Sequence, residues 1–253
     1  MRNVLVTVII PAYNCANYIS QAIESALIQN VSMEILVIDD GSKDNLEQVM
    51  DAYRKYPEIY YIKNRKNMGV SKVRNAGVRY AHGEYIAFLD ADDLWEEGKL
   101  QKQLALLQRT NGVISSTARE LMNPDGTLTG YVIPVKKELS FEDLCRQNQI
   151  NCSSVLIKRE VALEFQMFCD DCHEDYLTWM NILKKYGTCY AINEPLLKYR
   201  VSNTGKSGGK WHSAKMTFRT YRYMGFGILR SAYYFAHYAF NGIRKYLPWL
   251  LKD

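Results

Sequence analysis

With 253 residues, 47% of them hydrophobic and 23% charged, the chain has a globular composition that excludes wholesale disorder and suits one large or two small domains. The net charge of +5 is unevenly placed: Tyr199 to Asp253 carry ten Lys and Arg against one acidic residue, and the remainder is acidic on balance, so a mildly acidic body bears a basic, aromatic tail. Six cysteines (15, 145, 152, 169, 172 and 189) make no dense disulfide framework, and the expectation is a cytoplasmic chain without a signal peptide, its thiols reduced.

"VLVTVII", closed by Pro11, is too short to cross a bilayer and reads as a first buried strand. In "NYISQAIESALIQ", Ile19, Ala22, Ile23, Ala26 and Leu27 fall at helical spacing. "EILVIDD" is a second strand, after which Ser42 is placed to cap a helix running to about Tyr56. "IYYIKN" and "GVSKVRNAGVRYA" form a third strand and helix, "EYIAFLDADD" and "EEGKLQKQLALLQR" a fourth. Repeated βα units with near-continuous apolar strands predict an α/β fold, a Rossmann-like, mostly parallel sheet with helices on both faces.

From Gly112 the pattern is mixed. "GVISST", "YVIP", "SSVLIK" and "CYAI" read as strands, with a turn at "NPDG" and helices near 140–148 and 173–186. The expected division is a nucleotide-binding half over 1–112, a second half of the same domain over 113–200 that binds the acceptor, and a tail over 201–253.

Ligands of parallel sheets bind at the carboxyl ends of the strands. Here the first strand ends in "PAYN", the second in "DDGS" and the fourth in "DADD", so Tyr13, Asp39, Asp40, Asp90, Asp92 and Asp93 are expected along one edge. Three carboxylates as close as those of "DADD" repel one another, which a bound cation would relieve. The alternative is a solvated acidic start to the next helix.

"VTVIIPAYN", "EILVIDDGSKD", "NMGVSKVRNAGV", "GEYIAFLDADD" and "HEDYLTWMNILKKYG", in this order, resemble the family 2 glycosyltransferases over roughly residues 4 to 200. The resemblance implies the GT-A fold and an inverting, metal-dependent transferase that takes a sugar from a nucleotide-sugar donor with Mn²⁺ or Mg²⁺. It assigns Pro11, Ala12, Tyr13, Asp39 and Asp40 to the nucleotide, with Tyr13 against uracil and Asp40 accepting the N–H of the base. A carboxylate that only accepts suits uracil, so a UDP-sugar is favoured. Arg74 and Asn75 match the family's diphosphate stretch, and Gly69 allows a tight turn ahead of that helix. Asp92 is the first choice of metal ligand. Asp90 completes the D-x-D around Ala91, as a second ligand or a contact to the donor's ribose or sugar. Asp175 is the expected general base and Glu174 its neighbour or acceptor contact, with His173 a polar support. Arg200 and Lys206 are further expected phosphate contacts.

Other motifs are weaker. Cys169, Cys172 and His173 invite a zinc reading, but no second C-x-x-C exists. "GKSGGK" lacks the first glycine of a phosphate loop. A haloacid-dehalogenase-like phosphatase also carries D-x-D after a strand, but on its opening strand, and a binding or scaffold protein could keep the fold without turnover. The Q-x-x-R-W block of the family's processive polymerases is absent, which points to one sugar added per encounter.

If helical, Phe218 to Leu247 would turn Arg219, Arg230, His237 and Arg244 to one face, and Met224, Ile228, Phe235, Ala239, Ile243 and Tyr246 to the other. Trp249 suits a headgroup level. The segment is therefore expected to hold the protein peripherally on the inner face of an anionic membrane, where a lipid-linked glycan of the cell envelope would be the acceptor. Packing on the domain or a homodimer contact are the other uses. No recognised nucleic-acid module is present, so nucleic acid is not an expected partner.

Overall fold

Branched apolar residues set the sheet. In the computed structural model, which describes residues 4–169, 171–201 and 210–250, Val8 and Ile10 of β1 (Val6–Ala12) face one core and Ile9 the other. That is the two-fold alternation of a strand covered on both sides. The chain then runs α1 (Ile19–Leu27), β2 (Met33–Asp39), α2 (Leu46–Asp51), β3 (Ile59–Lys63), α3 (Val70–Tyr80), β4 (Tyr85–Phe88), β5 (Leu94–Trp95) and α4 (Lys99–Thr110). The second half holds β6 (Ile114–Met122), β7 (Leu128–Ile133), β8 (Glu138–Ser140), α5 (Phe141–Arg146), a 3₁₀ turn at Cys152–Ser154, β9 (Leu156–Lys158), α6 (Arg159–Glu164), α7 (Glu174–Tyr186) and β10 (Thr188–Arg200). α8 (Lys210–Tyr223) and α9 (Ile228–Leu250) follow.

One sheet runs through both halves in the order β3-β2-β1-β4-β9-β6-β10-β5, with β7 on β6 and β8 on β10. β1 to β4 pair in parallel, as do β6 and β10, and the short antiparallel β9 joins the two sets. A parallel sheet with helices on both faces is the fold expected from the sequence. α3 comes close to β1 because residue 77 is glycine: a Cβ there would lie 2.6 Å from the Ile9 side chain.

Three local expectations change. α2 is shorter than expected, and Ser42 does not cap it; its Oγ accepts the Asn14 N–H at 2.9 Å and holds the loop after β1. Cys169 and Cys172 are joined as a disulfide, their Cα atoms 5.9 Å apart, where thiols were expected; Cys169 takes left-handed backbone (φ 89°). Neither sulfur is then a thiolate for zinc.

The tail is two helices. Gly225 takes φ 80°, which ends α8, and Phe226 inserts into the core between the helices. Tyr221, Phe226 and Tyr234 pack as an aromatic cluster with Tyr176 of α7, and the Tyr221 hydroxyl donates to the Cys145 carbonyl at 2.8 Å. α9 thus turns Ser231 and Tyr234 inward, with Leu229, Tyr233, Phe240, Ile243 and Leu247 outward. The outer stripe differs from the expected one: Met224 is buried and Phe235 is half-buried against Phe218, while Ile228, Ala239 and Ile243 of the expected apolar residues are exposed. The side chains of Tyr246 and Trp249 lie outside the description. Among the described residues no helix is long and apolar enough to cross a membrane.

Candidate active site

A pocket of about 530 Å³ opens at the carboxyl ends of β1 and β2, lined by Pro11, Ala12, Tyr13, Asp40, Asn67, Met68, Gly69, Val70 and Val73. It unites the "PAYN", "DDGS" and "NMG" stretches. Tyr13 lies just past β1 and is 47% exposed, so its ring can lie against a planar ligand. Asp40 is buried and its carboxylate accepts the backbone N–H groups of Met68 and Gly69, at 2.9 and 2.8 Å, and the Asn64 amide at 3.0 Å. Gly69, at φ 92°, lets the loop turn back over that carboxylate before α3 begins. Asp39 faces elsewhere: it accepts the Ser42 N–H at 2.8 Å and the Tyr61 hydroxyl at 2.6 Å. Asn67, Met68, Val70 and Val73 line the pocket without having been singled out. Their signal was the position of "NMGV" just ahead of a helix that follows a strand.

Behind this pocket the "DADD" turn follows β4. Arg74, buried on α3, reaches Asp90 Oδ1 at 2.5 Å and Glu174 Oε1 at 3.3 Å. Expected at a diphosphate, it here ties the acidic turn to the head of α7. Asp90 is also fixed through its backbone N–H, which donates to Ser153 Oγ at 3.0 Å. The Asp92 carboxyl is pushed up to about 6, first by burial and then by Asp90. Burial, Asp92 and Asp90 push Asp93 well above the usual carboxylate range, and it accepts the backbone N–H of Arg200 at 3.0 Å.

Glu174 and Asp175 open α7, where the helix dipole favours negative charge. Burial and then Glu174 raise the Asp175 carboxyl, while Arg74 and His173 oppose the shift. This segment is braced by α8, a support that sequence reasoning missed: Arg219 pairs with Asp171 at 3.0 Å, Tyr223 donates to Asp171 at 3.0 Å, and His173 Nε2 lies 3.2 Å from the Ser213 carbonyl oxygen.

Two further expected site residues have partners within the protein. The Asn75 amide clips Met167, donating to its carbonyl at 2.6 Å and accepting its N–H at 2.9 Å. Arg200 is buried, donating to the carbonyls of Asp92 (2.8 Å) and Pro124 (2.9 Å) and to Gln21 Oε1 (2.8 Å), with its guanidinium 4.8 Å over the Tyr18 ring. It locks the acidic turn to β10 and offers no free fork to a phosphate. Lys206 lies outside the described residues.

The sequence profile described as Glycosyl transferase family 2 matches residues 7–162, a span that contains all three strand-end motifs. The chain belongs to the family 2 glycosyltransferases. Among its relatives, this glycosyltransferase is 35% identical over 246 residues to TuaG of Bacillus subtilis (strain 168), named for teichuronic acid biosynthesis, covering 96% of this chain and 98% of TuaG. It is 31% identical over 249 residues to the Escherichia coli UDP-Glc:alpha-D-GlcNAc-diphosphoundecaprenol beta-1,3-glucosyltransferase WfgD, covering 97% of this chain and 96% of WfgD.

Solved structures of S. aureus TarS 1–349 with UDP-GlcNAc (TM-score 0.74, 16% identity, 93% of this chain and 71% of that one) and of the Pyrobaculum calidifontis mannosyltransferase PcManGT with GDP-Man and Mn²⁺ (TM-score 0.67, 18% identity, 91% and 69%) share the fold. This glycosyltransferase therefore has the GT-A fold. Family membership sets aside the phosphatase reading, which rested on the D-x-D alone.

Proposed function

We propose that the chain transfers one sugar per encounter, with inversion, from a UDP-sugar to a lipid-linked glycan in surface polysaccharide synthesis. The observation that carries this reading is the pocket of Pro11, Ala12, Tyr13, Asp40 and Gly69, set on strand ends beside an acidic turn that Arg74 connects to a second pair of carboxylates. TarS with UDP-GlcNAc and WfgD with its named UDP-Glc donor and diphospholipid acceptor support the donor and acceptor classes.

Tyr13 stacks on the base while Asp40 shapes the pocket floor through the 68–69 loop. Asp92 and Asp90 fit a hard divalent cation, Mn²⁺ or Mg²⁺: burial, and then the charge of Asp90, push Asp92 up to about 6, a penalty that a bound cation would relieve, and such ions typically take one or two protein carboxylates, completing their shell with substrate phosphates and water. Such a cation, when bound, stabilises negative charge growing on the leaving diphosphate. Asp92 is the better placed of the two, because Asp90 is already committed to Arg74. Asp175 takes the proton of the acceptor hydroxyl, and its raised affinity for protons suits it to that task. Glu174, neutralised by Arg74, holds the head of α7 in register with Asp90.

The outward stripe of α9 lies in the interface of an anionic membrane. Leu229 is 88% exposed, Phe240 66% and Ile243 65%, with Arg230 and Arg244 also exposed on the same helix. The peripheral, inner-face location rests on this feature.

The test is a panel of nucleotide sugars offered with Mn²⁺ and scored for binding and nucleotide release. UDP-sugar binding that needs the cation and is lost in Asp92→Ala supports the reading. Phosphomonoester hydrolysis without nucleotide binding overturns it, and UDP-sugar binding without transfer to any lipid-linked acceptor would mark a scaffold of the same fold.

A further inference from the structure

A second cavity, of about 480 Å³, lies away from the nucleotide pocket, between the end of β7, the 147–149 loop and the last turns of α9. Its polar lining includes Lys136, Gln147, Gln149, Asn241, Arg244 and Lys245, three basic side chains with no acidic residue among the lining groups. The nearby Asp143 is engaged with Lys136, at 2.9 and 3.0 Å. Arg119 adds positive charge behind the wall: burial, and then Arg119, hold the Lys245 ammonium well below its ordinary range. Concentrated like charge with amide donors around it is the chemistry of an anion site.

Two neighbours narrow the anion. Arg244 follows Ile243, which belongs to the outward apolar stripe of α9, so the cavity and the stripe meet along one helix. In the other direction Gln149 is four residues from Ser153, whose Oγ holds the Asp90 N–H at 3.0 Å; four residues span at most about 14 Å. A ligand seated here has hydrocarbon-compatible surface along α9 and lies one four-residue segment from the serine that holds the candidate catalytic turn.

We propose that this cavity binds the diphosphate of a lipid diphosphate acceptor, with Arg244 and Lys245 on the phosphate oxygens and the hydrocarbon leaving along the α9 stripe. The proposal deepens the lipid-linked acceptor reading and rests on it. Arg244 supplies a planar fork, and a bound anion would offset the burial and the Arg119 charge that disfavour the Lys245 ammonium, so that Lys245 serves as a point charge on the adjacent phosphoryl group.

The experiment titrates geranyl diphosphate into the full-length protein with the nucleotide pocket saturated by UDP and Mn²⁺, beside inorganic pyrophosphate. Geranyl diphosphate should bind despite UDP, more tightly than pyrophosphate, and Arg244→Ala and Lys245→Met should each weaken it by about tenfold or more, the scale of a lost charge-assisted contact. UDP affinity should be unchanged in both variants, which reports intact folding. Competition between UDP and geranyl diphosphate, equal affinity for pyrophosphate, or indifference to both substitutions would each overturn the proposal. If UDP itself does not bind, the donor reading has failed instead, and titration of the lipid diphosphate alone still decides the cavity.

Discussion

Arg74 and Glu174, a hundred residues apart in sequence, meet at 3.3 Å in the interior, and the same guanidinium holds Asp90 at 2.5 Å. One buried cation therefore couples the acidic turn after β4 to the start of α7. Both Arg74 and Glu174 are almost fully buried, so neither charge has water to fall back on.

Removing that cation should be costly. Arg74→Met takes the guanidinium away from the buried Glu174 and from Asp90, and breaking a buried pair on one side typically costs about 3–5 kcal/mol. Arg74→Lys keeps a charge but lacks the fork needed to hold both carboxylates. Urea unfolding should place Arg74→Met well below wild type, with Arg74→Lys between. A wild-type midpoint for Arg74→Met would show that the pair is dispensable.

Asp175 gives the pH dependence its sign. Burial and Glu174 raise its carboxyl above the ordinary range, and a general base works only when ionised. Transfer should therefore be present above the raised value and lost as pH falls through it, at a higher pH than an exposed aspartate would dictate. Asp175→Asn should keep UDP binding and lose transfer by roughly 10²–10⁴-fold. Arg74→Met, which removes a charge that favours the ionised form, should move the acid limb of kcat/KM toward higher pH. A limb that stays fixed in that variant would separate Arg74 from the titrating group.

Asp40 should act through the loop it anchors. Its carboxylate takes the N–H groups of Met68 and Gly69, so Asp40→Ala leaves two donors of a pocket-lining turn unmatched, at about 1–3 kcal/mol for a buried group. UDP binding should weaken about tenfold or more while Asp92→Ala, at the other end of the site, leaves this loop in place. Amide exchange at Met68 and Gly69 would distinguish the two: faster in Asp40→Ala, unchanged in Asp92→Ala.

The sheet and the pocket were legible because their signals are local. Val8, Ile9 and Ile10 announce a doubly covered strand by their chemistry alone, and "PAYN", "DDGS" and "DADD" sit where strands must end. The assignments that shifted depend on distant partners. Nothing in "VRNAG" says that Arg74 will meet a residue a hundred positions away, or that the Asn75 amide will be used up on the backbone of Met167. In the tail, Tyr serves either side of a helix: Tyr233 points out and Tyr234 in. A helical wheel that counts only polarity therefore finds the periodicity of α9 but mistakes its rotation.

The rotation of α9 leads to the last prediction. Phe226 and Tyr234 are the residues that dock the tail, whereas Leu229 and Phe240 make no part of the core and face outward. Phe226→Ala should lower stability by about 3–5 kcal/mol, as large-to-small changes of buried aromatics do. Leu229→Asp with Phe240→Asp should leave the melting temperature close to wild type, because surface changes usually fall within about 0.5 kcal/mol. The same pair should abolish co-sedimentation with anionic liposomes at low salt, since it removes apolar contact and adds two negative charges against a negative surface. Retention of liposome binding in the double variant would place the membrane contact elsewhere, and a collapse in stability would mean that the stripe is covered by protein rather than lipid.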